Sequence, residues 1–263
     1  TYIWHDCFVF TNNKLSIVFD FWKDPMSDKR ERPLFLDNVD ESKPLYILVS
    51  HHHKDHFSKD IFEWSNQFPH IHFILSEDVY RHSRHIFNEE SLYKGTKLPP
   101  HQLTVLKKGE TFEDNIIKVK AFGSTDIGNS YSIETEGLRL FHAGDLNAWI
   151  WKDESTEQEV EEALKSYIDI LTDINRDYKE FDIVMFPVDS RIGTDYYIGA
   201  KIFVEKFNVK YFFPMHFCLG ESREMQIKYS LDASRFQLYA KKGGGEYISL
   251  LSPYSNFTKM QTD

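Results

Sequence analysis

Cysteine is nearly absent: the 263 residues include 2, Cys7 and Cys218, far apart and forming no C-x-x-C pair. A disulfide framework and a thiolate zinc knuckle are thereby excluded, and a reducing, cytoplasmic setting is the expectation. Long apolar runs are also missing. Stretches such as Pro44 to Val49 and Lys210 to Pro214 fall far short of the roughly 20 residues that span a bilayer, so no membrane anchor is expected. Positive charge is in deficit, since 31 Lys and Arg face 41 Asp and Glu for a net charge of −10. That balance opposes a phosphate backbone and argues against nucleic acid or an anionic membrane as partner, leaving a small-molecule substrate. Repeats and low-complexity tracts are lacking too. The chain opens at Thr1 without an initiator Met, which leaves a trimmed leader open. What is present, 41% hydrophobic and 16% aromatic residues, suffices for a large core in one domain over residues 1–263. The sequence does not speak to oligomeric state.

Short runs rich in β-branched and aromatic residues recur and stop at polar or ionisable residues. Leu15 to Phe19 precedes Asp20, Leu45 to Ser50 precedes His51, and Leu138 to Phe141 precedes His142. Ile183 to Phe186 precedes Pro187, and Tyr211 to Phe213 precedes Pro214. These read as buried strands with chemistry at their ends, and Tyr2 to Phe10 reads as another strand. Helical patterns over Ser58 to Gln67 and Glu77 to Asn88 separate them, so the order indicates an α/β layered protein. A helical insertion over residues 150–181 is the most legible. Its Val160, Leu164, Tyr167, Leu171, Ile174, Tyr178 and Phe181 alternate spacings of four and three along a charged surface. Ser155 with Gln158, or Thr156 with Glu159, offers a capping box at its start. Gly243-Gly244-Gly245 reads as a hairpin turn rather than a phosphate cradle.

The strongest signal is His51-His52-His53-Lys54-Asp55-His56, which packs 4 of the 12 histidines directly after a buried run. In an extended segment, residues two apart share a side, so His51 and His53 can share one cation while His52 faces elsewhere. A turn into the helix near Ser58 swings Asp55 and His56 towards a second position close by. Imidazole and carboxylate together suit zinc, manganese or iron, so one or two divalent ions are expected.

These residues carry the H-x-H-x-D-H signature, and the chain resembles the metallo-β-lactamase superfamily over most of its length. It looks like the metal-dependent hydrolase branch that includes ascorbate-phosphate lactonases and, more distantly, N-acyl phosphatidylethanolamine phospholipase D. Ile3-Trp4-His5, the strand ending in Asp20, Phe141-His142-Ala143-Gly144-Asp145 and Phe213-Pro214-Met215-His216 follow that family's order. The resemblance implies a four-layer αββα sandwich of two mixed sheets flanked by helices, with a binuclear metal site at one edge. It also implies that Asp145 bridges two metals and that His216 completes the site made by Asp55 and His56. The reaction implied is hydrolysis by a metal-bound hydroxide, with Asp55 as ligand and proton acceptor. Small molecules are the expected substrates: a phosphorylated sugar derivative, a lactone or a phosphodiester.

One departure stands out. Where the family carries H-T-P-G-S, this chain reads Asp126-Ile127-Gly128-Asn129-Ser130. Asp126 is either a carboxylate ligand in place of the imidazole, giving a harder, more oxygen-rich site, or the cap of a turn with Ser124 and Thr125. Trp149 and Trp151 can wall the pocket, with helix packing the alternative role for at least one of them. Arg191 can grip a phosphate or carboxylate, or pair with Asp189 and pin its loop. His5, His142 and Asp189 are candidate partners behind the ligands. Cys218, near His216, reads as a small buried apolar residue rather than a ligand. Two rival readings are an RNA-processing nuclease of the same superfamily and a catalytically degenerate module that keeps one metal as a staple. A flavo-diiron oxidoreductase is disfavoured, because that branch replaces the second histidine of the signature and His53 is kept.

Overall fold

Alternation along the apolar runs sorts side chains onto two faces, and the strands assemble into two sheets packed face to face. The computed structural model describes residues 1–27, 32–87, 98–218, 222–236, 246–247 and 253–258. In the first sheet six strands lie in chain order: β1 (Tyr2–Trp4), β2 (Cys7–Thr11), β3 (Ser16–Phe19), β4 (Leu45–Val49), β5 (Ile71–Ser76) and β6 (Leu103–Leu106). The second holds β7 (Thr111–Glu113), β8 (Lys118–Phe122), β9 (Ser130–Thr135), β10 (Leu138–His142), β11 (Glu180–Pro187), β12 (Asn208–Met215) and β13 (Glu246–Tyr247), again in chain order. Each sheet is mixed: antiparallel pairs at one end give way to parallel pairs, from β3 onward in the first and from β10 onward in the second.

Ile17, Phe19, Tyr46, Leu48 and Ile74 join the core shared with Ile133, Leu140 and Val184 of the opposite sheet. Their neighbours Val18, Leu45, Ile47, Val49, Phe73 and Leu75 face the other way, onto Ile61, Phe62, Trp64 and Val79. Val79 comes from α1 (Glu77–His82). The other three come from Lys59–Asn66, which is wound as 3-10 turns capped by Ser58 rather than as the expected α-helix. Ile61 and Trp64 are three apart, and a 3-10 winding brings them to one face. The second sheet is covered by α2 (Glu157–Asp177), α3 (Ile198–Lys206) and α4 (Arg223–Arg235). The four-layer arrangement anticipated above is therefore the fold. No helix among the described residues is long and apolar enough to cross a membrane.

Two further boundaries differ from the sequence reading. The long helix α2 starts at the Thr156–Glu159 capping box but stops at Asp177, where Tyr178 turns extended. Tyr178 and Phe181 keep the helical spacing because both still face the core, Phe181 from within β11. The segment Tyr2 to Phe10 is a hairpin, not one strand: Trp4 pairs with Cys7 across a turn made of His5 and Asp6. Neither Gly nor Asn occupies that turn, and His5 takes φ 55°, so the usual hairpin signal is absent. Asn88 and Gly243-Gly244-Gly245 lie outside the described residues.

Candidate metal centre

The site is built from the ends of strands that run in one direction. His5 and Asp6 follow β1, Asp20 follows β3, and His51, His53, Asp55 and His56 follow β4. From the facing sheet, Asp126 follows β8, Asp145 follows β10, Asp189 follows β11 and His216 follows β12. Carboxyl ends of parallel strands converge at one edge of a layered α/β fold, which is where ligands bind in such folds. Several residues of the site, one donor among them, sit on strained backbone. His5, Asp20, Trp149 and His216 have φ of 55°, 41°, 41° and 64°, a conformation non-glycine residues keep only where the surroundings fix it.

Close approach of the loops needs glycine. A Cβ on Gly128, at φ 78°, would lie 2.1 Å from the Ser50 carbonyl oxygen and 2.6 Å from His51 Cβ. A Cβ on Gly144 would lie 2.7 Å from Ser50 Cβ. The Asp126 and Asp145 loops are thus pressed against the histidine loop, and Asn129 N–H donates to the Ser50 carbonyl at 3.0 Å. Thr125 links them, since its hydroxyl donates to the Asn147 carbonyl at 2.6 Å and accepts from Asn147 N–H at 3.0 Å.

Two groups of donors result. In the outer group, His51 Nε2 stands 3.1 Å from His53 Nδ1 and 3.3 Å from Asp145 Oδ2, while Asp126 Oδ2 is 3.8 Å from His53 Nδ1. In the inner group, Asp145 Oδ1 is 3.2 Å from both His56 Nε2 and His216 Nε2. Asp145 therefore turns one oxygen to each group. Asp55 Oδ2 reaches the inner group at 3.8 Å from His56 Nε2. His52 turns away and pairs with Asp78 at 3.0 Å. Every candidate ligand named from the sequence is thus brought together.

The hydrogen-bond network fixes the ring tautomers. His56 Nδ1 donates to Asp20 Oδ2 at 3.0 Å, and His216 Nδ1 donates to Asp189 Oδ2 at 2.9 Å. His51 Nδ1 donates to Ser50 Oγ at 3.0 Å, because that hydroxyl spends its own hydrogen on Asp20 Oδ2 at 2.5 Å. All three rings turn Nε2 towards the Asp145 carboxylate, the atom each would offer to a cation there. His5 is opposite: its Nδ1 accepts from Cys218 N–H at 3.2 Å, so its Nε2 carries the hydrogen, 3.5 Å from Asp55 Oδ2 and from Asp6 Oδ2. His142 is held in place as well, donating from Nε2 to the Asp6 carbonyl at 3.0 Å and accepting from Gly144 N–H. His5 and His142 are thus both anchored beside the donor groups.

The charges within the cluster compensate one another. Burial works against charge on His56 and His216, yet Asp145 and Asp6 beside them hold both well above the ordinary imidazole value. Burial also pushes on Asp145, but His56 and His216 outweigh it and keep that carboxyl well below its usual range. His5 is driven down to about 3 by burial and by His216, so it stays neutral. Asp6 is driven up to about 8 by burial, which the two neighbouring histidines offset only in part.

Asp6 is the residue the sequence reading missed. It is fully buried, and neither carboxylate oxygen has a hydrogen-bond partner. The signal was an acid interrupting the apolar Tyr2-Ile3-Trp4 and Cys7-Phe8-Val9. Reading the segment as one continuous strand concealed it. For Asp126, the turn is made by Ser124, whose hydroxyl accepts from Asp126 N–H at 3.2 Å, while the carboxylate faces His53. Arg191 pairs with Asp189 through Nε at 2.9 Å and brings Nη2 to 3.3 Å from His216 Nδ1. Trp149 donates to the Asp145 carbonyl at 2.7 Å and sets its ring 5.3 Å from that of His216, whereas Trp151 is exposed. Cys218 is buried, with Sγ 2.9 Å from the Tyr2 hydroxyl.

Residues 1–163 match a family described as a beta-lactamase superfamily domain. That match takes in every donor except His216, with Asp189 and Arg191 also beyond it. No curated protein sequence matches. Among solved structures, the chain resembles a protein of Parabacteroides distasonis described as a metal-dependent hydrolase, with TM-score 0.54 and 18% identity over 94% of this chain and 90% of that one. It also resembles the metallo-beta-lactamase fold protein YhfI of Bacillus subtilis, with TM-score 0.55 and 11% identity over 95% and 90% of the two chains. A third likeness is to CmlA, a diiron beta-hydroxylase of Streptomyces venezuelae, with TM-score 0.57 and 13% identity over 95% of this chain and 52% of that one. At such identities these likenesses bear on the fold alone.

Proposed function

The chain belongs to the beta-lactamase superfamily, and from that premise we propose that it is a binuclear metal-dependent hydrolase of small anionic molecules. The observation that carries this reading is the set of buried atoms without partners: His56 Nε2, His216 Nε2, Asp145 Oδ1 and both Asp6 oxygens. Buried polar atoms are normally satisfied, and here several lone pairs converge at the spacing of ligands around a cation. His51, His53, Asp126 and Asp145 would hold one divalent ion, and Asp55, His56, Asp145 and His216 a second, with zinc, manganese or iron as candidates. Bound there, such ions would acidify water and polarise a carbonyl or phosphoryl oxygen.

The protein's own groups supply the rest. Asp20 and Asp189 fix His56 and His216 with Nε2 forward, and Asp55, exposed by 23% of its side chain at the mouth, is placed to take a proton. Trp149 walls one side and excludes water there. Arg191, held by Asp189 through Nε and Nη2, still offers positive charge to a phosphate or carboxylate on the substrate. This agrees with the resemblance to ascorbate-phosphate lactonases and favours a phosphorylated sugar derivative, a lactone or a phosphodiester. The test loads the full chain with Mn²⁺ or Zn²⁺ and offers phosphodiester, lactone and thioester panels. Turnover that needs added metal and disappears in Asp145→Asn is the expected result. Inactivity across every panel with metal verifiably bound would overturn the proposal.

A further inference from the structure

We infer that Asp6 is a fifth protein ligand of the inner cation, making that position oxygen-rich and selective for six-coordinate Mn²⁺ or Fe²⁺ over Zn²⁺. This rests on reading the cluster as a metal centre and extends it to a residue outside the signature. Donor atoms about 2.1 Å from one ion lie about 3.0–3.4 Å apart when adjacent and about 4.2 Å apart when opposite. Asp6 Oδ2 lies 3.3 Å from His56 Nε2 and 3.9 Å from His216 Nε2, within that range for both. The carboxylate is completely buried, with neither oxygen hydrogen-bonded.

Its placement is built rather than incidental. His5 and Asp6 form the turn between β1 and β2, with His5 held at φ 55°. The Asp6 carbonyl accepts from His142 Nε2 at 3.0 Å, which anchors the turn to the second sheet. His5 Nε2–H, 3.5 Å from the Asp6 and Asp55 oxygens, faces both carboxylates and positions them without itself ligating. The inner set then comprises two imidazole nitrogens and oxygens from Asp6, Asp55 and Asp145. Five donors with three hard oxygens leave room for one water in an octahedron, whereas zinc is content with four ligands.

The experiment titrates chelator-treated full-length protein with Mn²⁺, counting bound ion by its electron paramagnetic resonance signal, and repeats the titration with Zn²⁺. Wild type is expected to show a tight and a weaker Mn²⁺ site. Asp6→Asn and Asp6→Ala should weaken the tight site for Mn²⁺ at least about tenfold, one ligand's worth, and should weaken Zn²⁺ markedly less. Their metal-free melting temperatures should equal or exceed wild type, because a buried carboxyl without partners is removed. Unchanged Mn²⁺ affinity in both variants overturns the inference while leaving the hydrolase reading intact, as do equal losses for the two metals. Failure of wild type to bind either metal sinks both. Should the variants not fold, a Mn²⁺-loaded crystal of the wild type decides. An Asp6 oxygen at bonding distance from the inner ion supports the inference, and one beyond contact overturns it.

Discussion

The two halves of the centre share Asp145 but differ in almost everything else. The inner half is sealed: His56, His216 and Asp6 are at most 5% exposed, and each histidine is backed by a buried carboxylate. The outer half is open, with the side chains of His53 and Asp126 exposed by 43% and 42%. The contrast has a physical origin. Inner donors come from turns buried between two sheets, where an unpaired polar atom is costly and a rigid partner must be supplied. Two of the outer donors, His53 and Asp126, stand at the rim on the loops after β4 and β8, where water satisfies what the protein does not. A sealed, fully backed position should retain its ion, and an exposed one should exchange it.

Asp145→Ala removes the one residue common to both halves. It is expected to abolish retention of either ion through dialysis and to lower any metal-dependent turnover by at least about 10³-fold, read by metal analysis and steady-state rates. Retention of one ion by this variant would show that the halves are independent. Chelation of the loaded wild type comes next in size. An ion present at 1,000 times its dissociation constant adds about 4 kcal/mol, so the melting temperature should drop in two steps, the outer ion leaving first.

Gly128→Ala strikes the wall between the Asp126 loop and the histidine loop. The added Cβ meets the Ser50 carbonyl oxygen at 2.1 Å on a positive-φ residue, for an expected loss of about 2–3 kcal/mol in denaturant unfolding. Outer-ion affinity should fall with it, and a shift confined to the inner ion would contradict the loop assignment. Asp126→His widens the contrast in ligand type, giving the outer half three imidazoles against two in the inner one. Zinc at the outer position should bind about tenfold tighter in a calorimetric titration, a gain of about 1.4 kcal/mol. No change would return Asp126 to a bystander on the rim. The smallest effect belongs to a control remote from both halves. Thr156→Ala removes the cap of α2, where the hydroxyl accepts from Glu159 N–H at 3.3 Å. It should cost about 1 kcal/mol of stability and leave both metal affinities untouched.

Much of the centre was readable before folding was considered. Alternation placed His51 and His53 together and turned His52 away. The start of α2 was legible because a capping box is a local device. Its end was not, since Tyr178 and Phe181 face the core at helical spacing from outside the helix. Asp6 escaped because a two-residue turn without glycine or asparagine carries no local mark, and its conformation is imposed by what surrounds it. The division of Asp126 and Ser124 between ligand position and turn also needed coordinates, because both readings use the same residues.

From sequence alone came the family resemblance, the layered α/β architecture and seven candidate donors: His51, His53, Asp55, His56, Asp126, Asp145 and His216. Local patterning and residue chemistry marked the histidine cluster, and the family's order added Asp126, Asp145 and His216. Tertiary structure decided which imidazole nitrogen faces forward, which half of the centre is sealed, and that Asp6 stands among the donors. Those depend on partners brought in by the fold, from Asp20 behind His56, 36 positions back, to the carbonyl of Asp6 under His142, 136 positions along. Distance in space between such residues is settled only when the two sheets close on each other, and no stretch of sequence records it.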